Sequence, residues 1–504
     1  MSIVDNVIRW GLRRRWPKIK HFMNHPEEVQ QRMFTKLVGL ARNTEWGKQY
    51  HYKDIRTPEQ FQERVPVSSY EDLYPYIERM LRGEQNILWP SKINWFAKSS
   101  GTTNARSKFI PVSREMLLKC HFRGGRDMLS LVMVNMPEGR TFRGKGLSIG
   151  GSLSPNPHWP GTYYGDVSAV IVNQLPRWAH QLRSPRLETA LMSNWEEKIE
   201  TMARETIQQN ITSALGVPTW TIVLFQRILE MTGAKHIKEI WPDFEIFVHG
   251  AVAFHPYREL FDTLVPGIQY METYNASEGF FGLQDDFSRD DMLLLLDYDM
   301  FYEFIPLSEI HKDHPKAYTL DQVELDKNYA MIISNSSGLW RYQIGDTVKF
   351  TSLAPYRIKI TGRTKHFINA FGEEVIIENA EAAITAACNA TGAVMTNFTA
   401  GPVYLGNDSK GGHEWIIEFT NPPSNIDSFS QVLDKKLREV NSDYDAKRHL
   451  DLALIKPVIH SVPEGTFYQW LKKRGKIGGQ SKVPRLANSR IYLDEILDLV
   501  NSGF

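Results

Sequence analysis

Apolar residues recur at helical spacing over 26–42. Val29, Met33, Phe34, Leu37 and Leu40 mark one face, Pro26 opens the segment, and Glu27 and Glu28 suit its first turn. The spacing predicts a helix there. Two short apolar runs, Ile93 to Ala97 and Phe109 to Val112, flank a polar loop and predict two strands. Ser113 is placed to cap a helix running through Met116, Leu117, Cys120, Met128 and Leu131. Residues 147–166 lose all period and are rich in Gly, Ser and Pro, the composition of a lid or binding loop. Two helices follow, over 194–213 and 219–232, split by Gly216-Val217-Pro218.

From residue 244 the pattern shortens. Phe244 to Val248, a helix near 256–264 and Ile268 to Tyr274 make a strand–helix–strand unit. That order implies a parallel pair, whose carboxyl-end loops collect ligands. Leu293 to Leu296 and Phe301 to Pro306 read as a hairpin, and Ala330 to Ile333 as a buried strand. Beyond Gly362-Arg363-Thr364-Lys365 the pattern resets. A helix over 377–388, strands over 394–399 and 415–419, a helix over 426–440 and a strand over 452–459 make a small α+β unit of ferredoxin-like order. The expectation is an α/β protein. Its large N-terminal domain, 1–368, mixes β-sheets and helices, and its small α+β C-terminal domain covers 369–504.

Composition agrees with that layout. The 504 residues exceed one ordinary core, and 42% hydrophobic with 23% charged residues is a globular balance. A net charge of +1 supplies no global attraction to nucleic acid, so no nucleic-acid partner is expected. No apolar run reaches the length of a membrane-spanning helix. Cys120 and Cys388 are the two cysteines; they suggest neither a disulfide framework nor a Cys-based zinc site, and they fit a reducing, cytoplasmic compartment. His21 and His25 have H-x-x-x-H spacing, but Phe22 stands where a zinc-protease motif has Glu, and Pro26 follows. No metal pair is expected there. No signal peptide is expected. Ile3, Val4, Val7, Ile8 and Leu12 make a stripe beside Arg13-Arg14-Arg15, Lys18 and Lys20. Such a segment either docks on its own domain with a solvated basic edge or makes a weak peripheral membrane contact.

Four stretches carry candidate chemistry. Ser99-Ser100-Gly101-Thr102-Thr103, with Lys108 beyond, is a loop of hydroxyls, free backbone N–H groups and an ammonium. It suits a polyphosphate, although its spacing is not that of the Walker loop; the alternative is a polar hairpin loop without a ligand. Tyr274-Asn275-Ala276-Ser277-Glu278 ends the second strand of the parallel pair. It offers an aromatic to stack on a base, a hydroxyl for a phosphate and a carboxylate for a divalent cation, or else a core tyrosine and a surface glutamate. Gly345-Asp346 places a short carboxylate at a strand end, able to accept from a ribose diol or to serve a plain turn. Lys476 to Arg485 is a basic, glycine-bearing stretch that carries Lys482, or a solvated turn. After Ser113, the side chains of His121, Arg123 and Arg126 face either the same ligand or solvent.

Together and in this order these stretches resemble the adenylate-forming enzymes, and more closely the auxin-responsive acyl acid amido synthetases, the Gretchen Hagen family. The resemblance rests on Ser99 to Thr103 with Lys108, Tyr274 to Glu278, Tyr342-Gln343-Ile344-Gly345-Asp346, and Lys482-Val483-Pro484-Arg485. Glu303 before Phe304-Ile305-Pro306, and Tyr444 with Arg448, are similar too. It implies a large adenylate-forming domain, a small mobile lid domain, and an active site between them. It implies a two-step reaction on a small-molecule carboxylic acid and an amine, usually an amino acid, with ATP as substrate and Mg²⁺ as its metal. Ser99, Ser100, Gly101, Thr102, Thr103 and Lys108 would hold the phosphates and Ser277 would lie near the α-phosphate. Tyr274 would stack on adenine, Asp346 would take the ribose and Glu278 would hold Mg²⁺. Lys482, brought in by closure, would stabilise charge during adenylation.

Two departures stand out. Gln343 replaces the arginine usual after the tyrosine, with Arg341 two residues away, and Asn104-Ala105 stand where glycines are common. An acyl-CoA ligase shares the first step and is the alternative on the acceptor. A non-catalytic adenylate-binding or peripheral membrane protein is the alternative on class, although binding alone has no need of Glu278, Asp346 and Lys482 together. The acyl pocket is expected among the helix at 114–131, the 147–166 stretch and 219–225. The acid, the amine and the oligomeric state have no signature in the chain.

Overall fold

The computed structural model describes residues 11–12, 14–99, 108–157, 159–252, 254, 257–310, 312, 315–363, 367–373, 375–405, 411–449, 453–474 and 483–502. The helix Pro26–Ala41 forms as its spacing predicts and buries Val29, Met33, Phe34 and Leu37. Val38 and Ala41 complete that face, while Leu40 lies outside it, 46% exposed. The basic segment docks from residue 15 onward. Arg15 Nε donates to Asp127 at 2.7 Å and its Nη2 to Asp297 at 2.8 Å. Gln30 Nε2 donates to the carbonyls of Leu296 and Met300, and its Oε1 accepts from Tyr302 N–H. Among the described residues no helix is long and apolar enough to cross a membrane.

An eleven-stranded sheet organises the large domain. Its order starts at the edge strand Met300–Pro306 and runs through Asn328–Asn335, Tyr342–Leu353, Tyr356–Arg363, Met292–Leu294, Gly279–Leu283, Gln269–Ala276, Ile246–His249, Ile211–Gly216 and Lys145–Ser148 to Arg183–Ser184. The first seven strands pair antiparallel, and the rest pair parallel. The strand–helix–strand reading holds: Ile246–His249 and Gln269–Ala276 are parallel neighbours joined through the helix Arg258–Leu264. A second sheet has the order Lys108–Val112, Trp95–Ser99, Tyr163–Gly165, Leu153–Pro155.

Four expectations change. The helix expected over 194–213 stops at Ile207, and Ile211–Gly216 is a strand inside the main sheet. Short apolar runs fit either form when period alone is used, and here burial between two parallel neighbours decides. The runs near 293 and 301 form no hairpin. Met292–Leu294 joins Gly279–Leu283 and Tyr356–Arg363, whereas Met300–Pro306 pairs with Asn328–Asn335. The 147–166 stretch is not wholly irregular, since it supplies two short strands of the second sheet. The last strand is Val458–Val462 rather than 452–459, because Pro457 cannot donate to a ladder.

The C-terminal α+β unit packs the helices Ile377–Thr391 and Ile426–Val440 together beside a three-stranded sheet. In that sheet Val394–Val403 is antiparallel to Gly412–Asn421, which is parallel to Val458–Val462. The turn after residue 368 is strapped on both sides. Tyr257 Oη donates to the Ala370 carbonyl at 2.6 Å. The buried Glu373 carboxylate accepts from Ala370 and Phe371 N–H and meets His413 Nε2 at 2.8 Å.

Candidate active site

Ser99 ends one strand and Lys108 opens its antiparallel partner, and the two face each other in register. Ser100, Gly101, Thr102 and Thr103 lie outside the described residues, so the ends of the loop are what the structure places. Lys108 is buried. Its ammonium donates to Tyr342 Oη at 3.5 Å and sits 5.7 Å from the Tyr70 ring centre. Tyr70 Oη in turn accepts from Phe109 N–H at 2.8 Å. Burial pushes the Tyr70 phenol up, and the nearby Glu278 charge adds a smaller push. That phenol stays neutral beside the lysine.

Ser277 and Glu278 are the two turn residues between Gln269–Ala276 and Gly279–Leu283. Glu278 is buried, and Ser277 is partly so. Asn335 braces this turn. Its Nδ2 donates to the Glu278 carbonyl at 2.9 Å, and its Oδ1 accepts from Ser337 and Leu339 N–H. Tyr274 is buried with its ring 4.8 Å from Phe281, and its hydroxyl donates to Asp346 Oδ2 at 2.7 Å. The residues expected at adenine and ribose are therefore joined directly.

Asp346 does not end a strand. It lies within Tyr342–Leu353, just after Gly345, whose φ of +99° suits glycine, and the ladder shifts register at Thr347. The carboxylate thus sits at a kink. Arg341, near the departure at Gln343, faces the core. Its Nη2 meets Glu303 at 2.9 Å, its Nε donates to the same carboxylate, and its Nη1 donates to the Gln62 and Val65 carbonyls. Both side chains are buried. Arg341 is a structural partner of Glu303 and does not replace the usual arginine of the ribose motif.

Among the described residues no group of three or more His, Cys, Asp or Glu is arranged to hold a metal ion. Mg²⁺ in nucleotide sites is commonly held by one or two carboxylates plus phosphates and waters, and the buried Glu278 carboxylate fits such a donor set. Lys482 lies outside the described residues. The chain beyond it is anchored: Thr399 Oγ1 donates to the Pro484 carbonyl at 2.6 Å, and Ala400 N–H to that of Arg485.

The region expected for the acyl group has a definite frame. Ser113 caps its helix by accepting from Met116 N–H, and a π-helical turn, Leu117–His121, follows. His121 is buried, and among the described residues neither ring nitrogen has a hydrogen-bond partner; burial lowers its pKa to about 4. Arg123 turns to Asp297 rather than to the loop. Burial raises the Cys120 thiol to about 12, so it remains protonated. Lys198, buried with its pKa lowered to about 8, donates to the carbonyls of Gly150 and Gly151 and holds the Gly-rich stretch in place. Tyr70, Asn335 and the Glu303 partnership had no signature in sequence; each depends on contacts across long separations.

Models of a known family match the chain along most of its length. The GH3 family N-terminal domain matches residues 15–270, the GH3 family central domain 293–363 and the GH3 family C-terminal domain 378–491. The chain belongs to the GH3 family. Indole-3-acetic acid-amido synthetase GH3.3 of Arabidopsis thaliana is 22% identical, over 96% of this chain and 92% of that protein. Among solved structures, the AtGH3.15 acyl acid amido synthetase in complex with 2,4-DB matches with a TM-score of 0.62 at 16% identity, over 96% of this chain and 95% of that one. A 2-hydroxyisobutyryl-CoA ligase in complex with 2-HIB-AMP and CoA matches with a TM-score of 0.57 at 12% identity, over 95% and 92%. These likenesses carry the fold of a large N-terminal and a smaller C-terminal domain.

Proposed function

We propose that this GH3-family chain is an ATP-dependent acyl acid amido synthetase. A carboxylate oxygen of a small acid attacks the α-phosphorus of ATP. The bond to the bridging oxygen breaks, and acyl-AMP and pyrophosphate form. The nitrogen of an amine then attacks the acyl carbon; AMP leaves, and the nitrogen loses a proton as the amide forms. One observation carries this reading. Lys108 from the phosphate loop contacts Tyr342, and Asp346, four residues on in the same strand, holds Tyr274, whose own turn bears Glu278.

The roles follow from that convergence. Ser99, Ser100, Gly101, Thr102, Thr103 and Lys108 bind the phosphates, and Ser277 lies near the α-phosphate. Donors placed before the charge shifts are usually the largest catalytic term, each worth about 3–4 kcal/mol. Asp346 accepts from the ribose hydroxyls, and Tyr274 orients it while bordering the adenine side. Lys482 is delivered by closure of the domain over 369–504. Glu278 holds Mg²⁺, which would neutralise phosphate oxygens when bound. No side-chain nucleophile takes part, since the acid supplies the attacking oxygen. The amine is an amino acid, a reading supported by a relative known as 4-substituted benzoates-glutamate ligase GH3.12 of Arabidopsis thaliana. Free Cys120 and Cys388 support a cytoplasmic setting. The fold shared with an acyl-CoA ligase makes CoA the second reading for the acceptor.

The test is carboxylate-dependent exchange of labelled pyrophosphate into ATP, with Mg²⁺, across aromatic and aliphatic acids. Exchange with one acid class is expected, followed by amide formation when amino acids are added. Thioester formation with CoA and no amide would move the acceptor to the second reading. Absence of exchange in folded, ATP-binding protein would overturn the enzyme reading for those acids.

A further inference from the structure

One cavity among the described residues is lined by none of the motif residues above. It measures about 430 Å³ and opens between the helices Trp16–Asn24 and Pro26–Ala41 and the turn Leu117–His121. Arg15, Lys18, Arg32, Lys36, Lys119 and Arg123 line it, with His21 at the side and Phe22, Val29 and Met33 as an apolar wall. Among the described residues two carboxylates face these six cations, Asp297 and Asp299. Asp127 lies behind Arg15 and makes a third. Three positive charges remain in excess.

The pairing within the cavity is uneven. Arg15 and Arg123 share Asp297, while Lys36 holds Asp299, with Lys119 at 3.9 Å from its other oxygen. Among the described residues neither Lys18 nor Arg32 has a carboxylate partner, and both are exposed at the mouth. Burial and the neighbouring Lys119 hold the Lys36 ammonium below the usual lysine range, against the pull of Asp299. Like charges crowded in a half-enclosed space raise the local potential and attract an anion. Arginine forks match phosphate oxygens two at a time, and lysines add point charge. The volume falls in the range of small-ligand sites.

We propose that this cavity is a second binding site, for a small ligand bearing phosphate groups with two or more negative charges. Its residues come from 15–36, 117–123 and 297–299, so it shares none with the proposed catalytic set. The phosphate belongs either to a free metabolite or to a lipid headgroup.

Calorimetric titration of the full chain with inorganic tripolyphosphate tests it. Wild type is compared with the double reversal Lys18→Glu, Arg32→Glu and with an equally charged control, Lys235→Glu, Lys472→Glu. The site predicts a fall of about tenfold or more in affinity for the first pair only, equal to about 1.4 kcal/mol or more. Pyrophosphate exchange stays within about twofold of wild type. Any binding left in that variant belongs to the catalytic loop and disappears in Lys108→Ala. Sedimentation with phosphatidylcholine vesicles, with and without phosphatidate, separates the two sources. Reversal-sensitive capture by phosphatidate vesicles identifies a headgroup. Reversal-sensitive binding of soluble tripolyphosphate without capture identifies a free phosphate. Equal titrations for wild type and the first pair, or equal losses in both pairs, overturn the proposal.

Discussion

Tyr274 and Asp346 stand on strands four places apart in one sheet, yet the phenol donates to the carboxylate at 2.7 Å. In a flat sheet four strand spacings would separate them by about 19 Å. The sheet must curl on itself between Gln269–Ala276 and Tyr342–Leu353, and the contact lies where it closes. Asn335 reaches Glu278 across the same gap. The curl, more than any single loop, brings the proposed nucleotide residues together.

Tyr274→Phe removes the donor that orients Asp346. We expect KM for ATP to rise about three- to tenfold with kcat little changed, as for loss of one hydrogen bond to a charged group. Asp346→Ala should reduce kcat/KM for ATP by about 100-fold. Pyrophosphate exchange against ATP concentration reads both. Equal behaviour of Asp346→Ala and wild type would remove Asp346 from the ribose.

Glu278→Gln keeps the backbone carbonyl that Asn335 holds and alters only the carboxylate. The Mg²⁺ concentration for half-maximal exchange should rise about tenfold, because a charged oxygen ligand becomes neutral. A variant with full activity and an unchanged Mg²⁺ titration contradicts the metal assignment.

Lys482→Ala should slow adenylation by about tenfold or more. A change within about threefold would mean a transition-state contribution under ~1 kcal/mol and would rule out its delivery by domain closure in that step. Single-turnover formation of acyl-AMP is the direct measurement.

Glu303→Ala leaves the Arg341 guanidinium buried without its carboxylate. Such a removal costs about 3–5 kcal/mol, so the urea midpoint should fall sharply. A loss below about 1 kcal/mol would mean that the backbone carbonyls of Gln62 and Val65 satisfy the arginine alone.

Buried His121 and His249 should make the fold acid-sensitive. Burial lowers their pKa values from 6.5 to about 4 and about 3. Above pH 6.5 both states are neutral and stability is full. As pH falls from 6.5 to 4 the unfolded chain takes up protons that the folded chain refuses, so stability is lost. Each histidine contributes about 1.4 kcal/mol per pH unit, about 3 for the pair. Urea unfolding across this window should show a shallower slope in the variant His121→Gln, His249→Gln. Identical slopes would place the acid sensitivity elsewhere.

Local patterns carried part of this structure. Pro26–Ala41 declares itself by its opening proline, its acidic first turn and its periodic face, all within one segment. The parallel pair around Arg258–Leu264 was legible for the same reason. Ile211–Gly216 was not, since its strand form depends on Ile246–His249 and Lys145–Ser148 beside it. The motifs named Tyr274 and Asp346 but not their mutual bond, and they gave no sign that Arg341 belongs to Glu303. The basic cavity was equally hidden, because its cations are scattered between residues 15 and 123 and converge only through packing.

The docking of Arg15 on Asp297 bears on how the protein is made. The two residues are 282 apart, and Gln30 likewise waits for Leu296 and Met300. At roughly 5–20 residues per second, roughly 14 to 56 s pass on the ribosome between them. For that interval Phe22, Val29 and Phe34 have no finished core to enter. Their helices emerge early and settle late, which makes nascent chains shorter than about 300 residues the natural targets of a chaperone.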